Sequence, residues 1–285
     1  MENVVPNFYP TQGIPVGNGA RVDGRLTQDD VVAKATAKVF RREVSSQTRP
    51  MQRALTSFFR KITRKRLAAM RRNGTIKLFS GGSASLKKSE AVIMKAIDPD
   101  EETAFLALLF LYGEKARDRA GKKTAKTHSM SWDASDDDYD LFEKRKRKIL
   151  KKTIRGLGKT ADQSIRDILS SSTADTVRPS VVDLARTIES ALIGSAGVFG
   201  QGVVSRIVNT EIPAFQNAGI YTAHKKAGVK KLRWVSVIDS RTRPAREKMP
   251  RANHIAMDKR ETSLGVPFNM AVSGAKMLYP GDPSG

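Results

Sequence analysis

Apolar positions along the chain recur mainly at helical spacing. From Met51, the residues Leu55, Phe58, Phe59 and Ile62 fall at i+4, i+7, i+8 and i+11, which predicts a helix with one buried face. Arg53, Arg60, Arg64 and Arg71 are separated by 7, 4 and 7 residues. At about 100° per residue they form a narrow stripe nearly opposite the apolar face. Gly74 and Gly81-Gly82 are expected to end this unit. Asp98-Pro99-Asp100-Glu101 then reads as an N-cap, a proline at the first helical position and an acidic N3 residue. The run 104–112 that follows is apolar all round, so its helix is expected to be buried on every side.

Further along, Thr160-Ala161-Asp162-Gln163 and Ser180-Val181-Val182-Asp183 read as two more helix starts. Behind the second, Val181, Leu184, Ala185, Ile188 and Leu192 keep helical spacing. Gly194, Gly197, Gly200 and Gly202 lack the GxGxxG spacing and a preceding strand, so they read as a flexible helix connection and not as a nucleotide loop. In the next helix Arg206, Thr210 and Asn217 share one face, with Tyr221 beside them. Pro213 should kink that helix or begin its second half. Residues 231–238 alternate in the manner of a β-strand. The fold class expected is α+β, a mostly helical N-terminal part followed by a small α+β domain with a short β-sheet. The expected divisions are an extended arm over 1–28, a basic helical domain over 29–175 and a C-terminal domain over 176–285.

Charge sharpens this picture. The 285 residues carry 51 Lys+Arg against 29 Asp+Glu, a formal net charge of +22. The excess points to a polyanionic partner. It is concentrated: residues 41–72 hold 11 basic and 1 acidic residue, and 143–159 hold 9 and 1. Arg53, Arg60, Arg64 and Arg71, with Lys144, Arg145, Lys146, Arg147, Lys148, Lys151 and Lys152, are therefore the candidates for DNA phosphate contact. Aromatic residues are scarce beside both segments, which argues against base stacking. No motif for sequence-specific readout is present. Just before the second segment lie Asp133, Asp136, Asp137, Asp138, Asp140 and Glu143. They lack the glycine and terminal glutamate of a calcium loop and read as a solvated acidic loop that neutralises the basic segment.

Cysteine is absent, which excludes disulfides, thiolate zinc sites and a cysteine nucleophile. Three histidines make a His-rich metal cluster unexpected. The longest apolar run covers nine residues, about half of the roughly 20 a membrane span needs. The N-terminus has neither the basic nor the apolar region of a signal peptide. Synthesis in a reducing host cytoplasm is the expectation, with no cofactor, no metal, no membrane and no small-molecule substrate.

Several pieces of the C-terminal third then fall in a familiar order. Arg206, Thr210, Glu211, Asn217 and Gly219 come first, then Gly228, Val229, Trp234 and Asp239-Ser240-Arg241-Thr242-Arg243. His254, Met257-Asp258, Pro267-Phe268 and Tyr279-Pro280-Gly281-Asp282-Pro283 follow. Over about 176–285 the set resembles the phage Mu F-like minor head protein family, also called the phage head morphogenesis domain. Two departures stand out: residues 244–253 separate the Arg-Thr-Arg motif from His254, and Lys259 replaces a glycine.

The resemblance implies a structural protein of a tailed-phage head, acting in head morphogenesis inside the virion. Its partners would be the portal, capsid or scaffold proteins, and DNA non-specifically. Two alternatives stay open. Asp239, His254 and Asp258, with Arg241 and Arg243 on a phosphate, could form a phosphodiesterase site in a nuclease or toxin-like enzyme delivered with the particle. The chain could also be a plain non-specific DNA-binding protein. The structural reading is favoured, because one histidine with two carboxylates defines no chemistry. On that reading Asp239 pairs with an arginine of the helix stripe. Arg206 and Glu211 complete an ion-pair network, and Trp234, Phe268 and Tyr279 pack together as a small core.

Overall fold

The structure, a computed structural model, describes residues 5–6, 28–76, 97–174, 179–234, 257, 260–270 and 274–283. Among these lie five helices: α1 (Gln28–Arg72), α2 (Pro99–Thr127), α3 (Asp137–Ala174), α4 (Val181–Ile193) and α5 (Gln201–Lys226). Five short strands accompany them: β1 (Val5–Pro6), β2 (Lys231–Arg233), β3 (Glu261–Ser263), β4 (Phe268–Asn269) and β5 (Lys276–Met277). The fold is α+β, mostly helical, with four of the five strands near the C-terminus.

Contacts divide the chain into two interleaved compact units. One comprises Pro50–Leu109 and Arg147–Val208. The other comprises Met1–Arg49, Phe110–Lys146 and Asn209–Gly285.

The first of these units is helical. Met51, Leu55, Phe59 and Ile62 of α1 are buried, as their spacing requires. Phe59 stacks on Phe199 at 4.6 Å between ring centroids and lies 6.0 Å from Phe105. The glycine-rich turn after α4 makes that stack possible: Val198 and Phe199 donate their N–H groups to the carbonyls of Ala191 and Leu192, which folds the turn back onto the helix end. Two helix starts form as the sequence implies. Glu101 N–H donates to Asp98 Oδ1 at 2.8 Å while Asp98 N–H donates to Glu101 Oε2 at 3.1 Å, a reciprocal cap for α2. Ser180 Oγ accepts from Asp183 N–H and begins α4.

Three local expectations fail. No helix starts at Thr160, because α3 runs through it. Its buried face continues across that point with Ile154, Ala161 and Ile165, and Thr160 Oγ1 donates back to the Gly156 carbonyl within the same helix. The run 104–112 is not buried on every side: Phe105, Leu106, Leu109 and Phe110 are buried, while Ala104, Ala107 and Leu111 are exposed. Val181 is likewise exposed, so the buried face of α4 consists of Leu184, Ala185, Ile188 and Leu192.

In the second unit the later part of α2 packs on the later part of α5. Phe215 receives Phe110 and Phe142 edge-on, at 5.3 and 5.2 Å. The helices approach so closely that a Cβ on Gly219 would overlap the carbonyl oxygen of Arg117. Helix α5 passes through the buried Pro213 as a single element and does not begin afresh there. β1 pairs in parallel with β2, Val5 opposite Leu232, so the N-terminal segment adds a strand to this sheet. β3 pairs antiparallel with β2 on its other side, and β4 with β5 forms a separate two-stranded ribbon.

Candidate functional site

Two kinds of surface answer to the residues singled out in the sequence: exposed basic helix faces, and a buried cluster built from the C-terminal motif. On α1, Arg53, Arg60, Arg64 and Arg71 are all exposed, and they point away from the face that carries Leu55 and Phe59. Other cations of that helix have structural work. Lys65 pairs with Asp98 and Glu101 at 2.9 and 2.8 Å, which raises its pKa above the ordinary lysine value. Arg66 is buried against Asp162 at 2.7 Å.

Along α3, Lys144, Arg145, Arg147, Lys148, Lys151 and Lys152 are exposed. They occupy about 160° of the helix circumference. Lys146 does not belong with them. Its side chain is only 6% exposed, and its Nζ lies 2.9 Å from Oε2 of Glu211 on α5, itself 8% exposed. Lys146 is therefore removed from the DNA-contact candidates. The reason is positional: it stands four residues from both Phe142 and Leu150, on the face the helix buries.

The same pair corrects the ion-pair network expected for the motif. Glu211 is held by Lys146 and not by Arg206, which is about 140° away around α5 and exposed. Thr210 is exposed as well. Asn217, expected on the same face, is buried one turn and more further on, where its Nδ2 donates to the carbonyl of Pro280 at 3.0 Å.

That hydrogen bond begins the described part of the Tyr-Pro-Gly-Asp motif. Tyr279 is buried 5.1 Å from Tyr221 and 6.2 Å from Phe142. Burial holds its hydroxyl pKa well above the ordinary tyrosine value. Gly281 takes φ +85°, and a Cβ there would sit 2.7 Å from that of Ala214. Asp282 is buried and closes the turn, accepting from Leu278 N–H at 2.8 Å. The four residues clamp the C-terminal segment onto α5. Trp234 and Phe268 do meet, 5.4 Å apart, but Tyr279 packs on helical aromatics instead of joining them. Asp239, Arg241, Arg243, His254 and Asp258 lie outside the described residues. Among the described residues no group of three or more His, Asp or Glu side chains is placed to hold a metal.

Three carboxylates of the acidic stretch have partners at the end of α5. Asp136 begins α3 and is almost fully buried, accepting from Thr222 Oγ1 at 2.7 Å and pairing with Lys225 at 3.1 Å. Lys225 also pairs with Asp138, and Lys226 with Asp133. The hydrogen bond from Lys226 holds the Asp133 carboxyl far below the usual carboxylate range. These carboxylates neutralise the C-terminal end of α5, not the basic residues 144–152. Each charge also suits its helix dipole, acidic at the start of α3 and basic at the end of α5.

Three features have no counterpart in the sequence reading. Arg117 is buried with its guanidinium 3.3 Å from the centre of the Tyr139 ring, and it donates to the Ala134 carbonyl, which anchors the acidic loop. His128 and His224 face each other, Nε2 to Nδ1, at 2.9 Å. Burial, and then His128, lower the pKa of His224 to about 3. The third is a line of cations on α2, Lys115, Arg119, Lys122, Lys123 and Lys126, all exposed. Their spacing was visible in the sequence as i, i+4, i+7, i+8 and i+11.

No protein-family model matches the chain. No curated protein and no solved structure is significantly similar to it.

Proposed function

We propose that the protein is a minor head protein of a tailed phage. In this reading it docks to the portal or the capsid interior during head morphogenesis and contacts packaged DNA through its phosphates, without sequence preference. The observation that carries the DNA part is the α1 stripe: four arginines exposed on one line, opposite a buried apolar face. Arginine forks match phosphate oxygens, and each neutralised phosphate releases counterions. The ordered motif resembling the Mu F-like family carries the head part. Its described members support a structural use, because Asn217 holds the Pro280 carbonyl, Tyr279 packs on Tyr221 and Phe142, Gly281 lies against Ala214 and Asp282 closes the turn.

The test is recovery of the chain with its partner. Particles purified from a phage that encodes the protein, lysed and fractionated, should yield it together with the portal protein. Its absence from purified particles would refute the assembly role.

A further inference from the structure

We propose that Lys115, Arg119, Lys122 and Lys126 on α2 form a second surface for the phosphate backbone of duplex DNA, separate from the α1 and α3 candidates. The inference rests on the DNA reading above and extends it to residues that reading does not contain. The four side chains lie within a sector of about 60° of the helix, and their 11-residue spread covers about 16 Å along its axis. All are exposed, and among the described residues no carboxylate pairs with any of them.

Two acids share this half of α2, Glu114 and Asp118, and neither forms an ion pair with the four cations. Asp118 accepts from the Trp132 indole N–H at 3.3 Å. Asp133, Asp136 and Asp138 are held by Lys225, Lys226 and Thr222. The stripe is thus a line of four exposed cations without ion-pair partners among the described residues, complementary to a duplex that presents about one phosphate charge per 1.7 Å of axis.

Other anionic partners fit less well. A helix that lies on a membrane needs a broad apolar face to insert. That face of α2, with Phe105, Leu109, Phe110 and Ala116, is buried within the protein. Single strands need aromatic platforms. The aromatic residues beside the stripe, Tyr112 and Trp132, are both half-buried, and Trp132 is held by its hydrogen bond to Asp118.

The experiment compares the full chain with a variant carrying Lys115→Gln, Arg119→Gln, Lys122→Gln and Lys126→Gln, measuring affinity for a short duplex over a series of salt concentrations. Glutamine keeps helix propensity, and thermal unfolding checks the fold. If the quadruple variant does not fold, Lys122→Gln/Lys126→Gln is used in its place. The expected result is a salt slope reduced by about 0.9 for each cation that contacts a phosphate, so by about 3 to 4 for four and about 2 for two. A slope unchanged from the parent, with the parent binding DNA, overturns this inference and leaves the DNA reading standing. A parent that shows no salt-sensitive binding overturns both. Loss of binding to phosphatidylserine vesicles with unchanged DNA binding would assign the stripe to lipid headgroups and also overturn it.

Discussion

Lys146 and Glu211 form a buried ion pair, 2.9 Å from Nζ to Oε2, that joins α3 to α5. It sits within a run of five consecutive basic residues, yet it belongs to the interior. Removing one partner of a buried pair leaves an uncompensated charge and costs about 3–5 kcal/mol. Lys146→Ala should therefore destabilise the fold by that order in denaturant unfolding. The double replacement Lys146→Met/Glu211→Leu should recover most of the loss, because it removes both charges and keeps apolar volume. Recovery confined to the double variant distinguishes a buried pair from a surface contact.

The clamp on α5 makes a second prediction. Asn217→Ala leaves the buried Pro280 carbonyl without its donor, a cost of about 1–3 kcal/mol. Gly281→Ala meets both an unfavourable positive φ and the side chain of Ala214, so it should destabilise the fold. Urea midpoints for the two variants would check this; wild-type midpoints in both would show that the clamp contributes nothing.

Acid should act in two stages. The folded pKa of His224 is depressed to about 3, against about 6.5 when unfolded. The unfolded chain therefore binds the extra proton first as pH falls. Stability from this residue is complete above about pH 6.5 and is lost progressively as pH falls below that towards 3. The carboxyls of Asp98 and Asp133 are also depressed, so their contribution is present above about pH 4 and is lost below it. Unfolding midpoints measured from pH 7 to 3 should fall across both windows, and His224→Gln should flatten the upper one.

Deleting 133–140 removes the carboxylates that hold Lys225 and Lys226, together with the first turn of α3. The expected outcome is a lower melting temperature. A folded deletion variant that binds DNA more tightly at fixed salt would instead show that the stretch screens the basic segment.

The caps at Asp98 and Ser180, the buried face of α1 and the arginine stripe opposite it are legible in the sequence, because a single helical period specifies both faces of a helix. Within the run 144–148 charge alone does not distinguish Lys146; its place four residues from both Phe142 and Leu150 puts it on the buried face. The α2 stripe is legible only from its spacing, because it follows an apolar first half of the same helix and its cations keep the helical period. The partners of Glu211, Asn217 and Asp136 were not legible, since each is set by packing between distant segments, as in the contact from Asn217 to Pro280. The helix start expected at Thr160 failed because a hydroxyl and an acid in capping order also sit comfortably inside a helix whose buried face continues.

A protein that grips DNA through phosphates alone is tested most directly by the salt dependence of its duplex binding. Two duplexes of unrelated sequence should bind the full chain equally, with log affinity falling linearly and steeply as log salt rises. Replacing Arg53, Arg60, Arg64 and Arg71 by glutamine should reduce that slope by up to about 3.6 for both duplexes alike. No binding at low salt, or binding indifferent to added salt, would contradict the account.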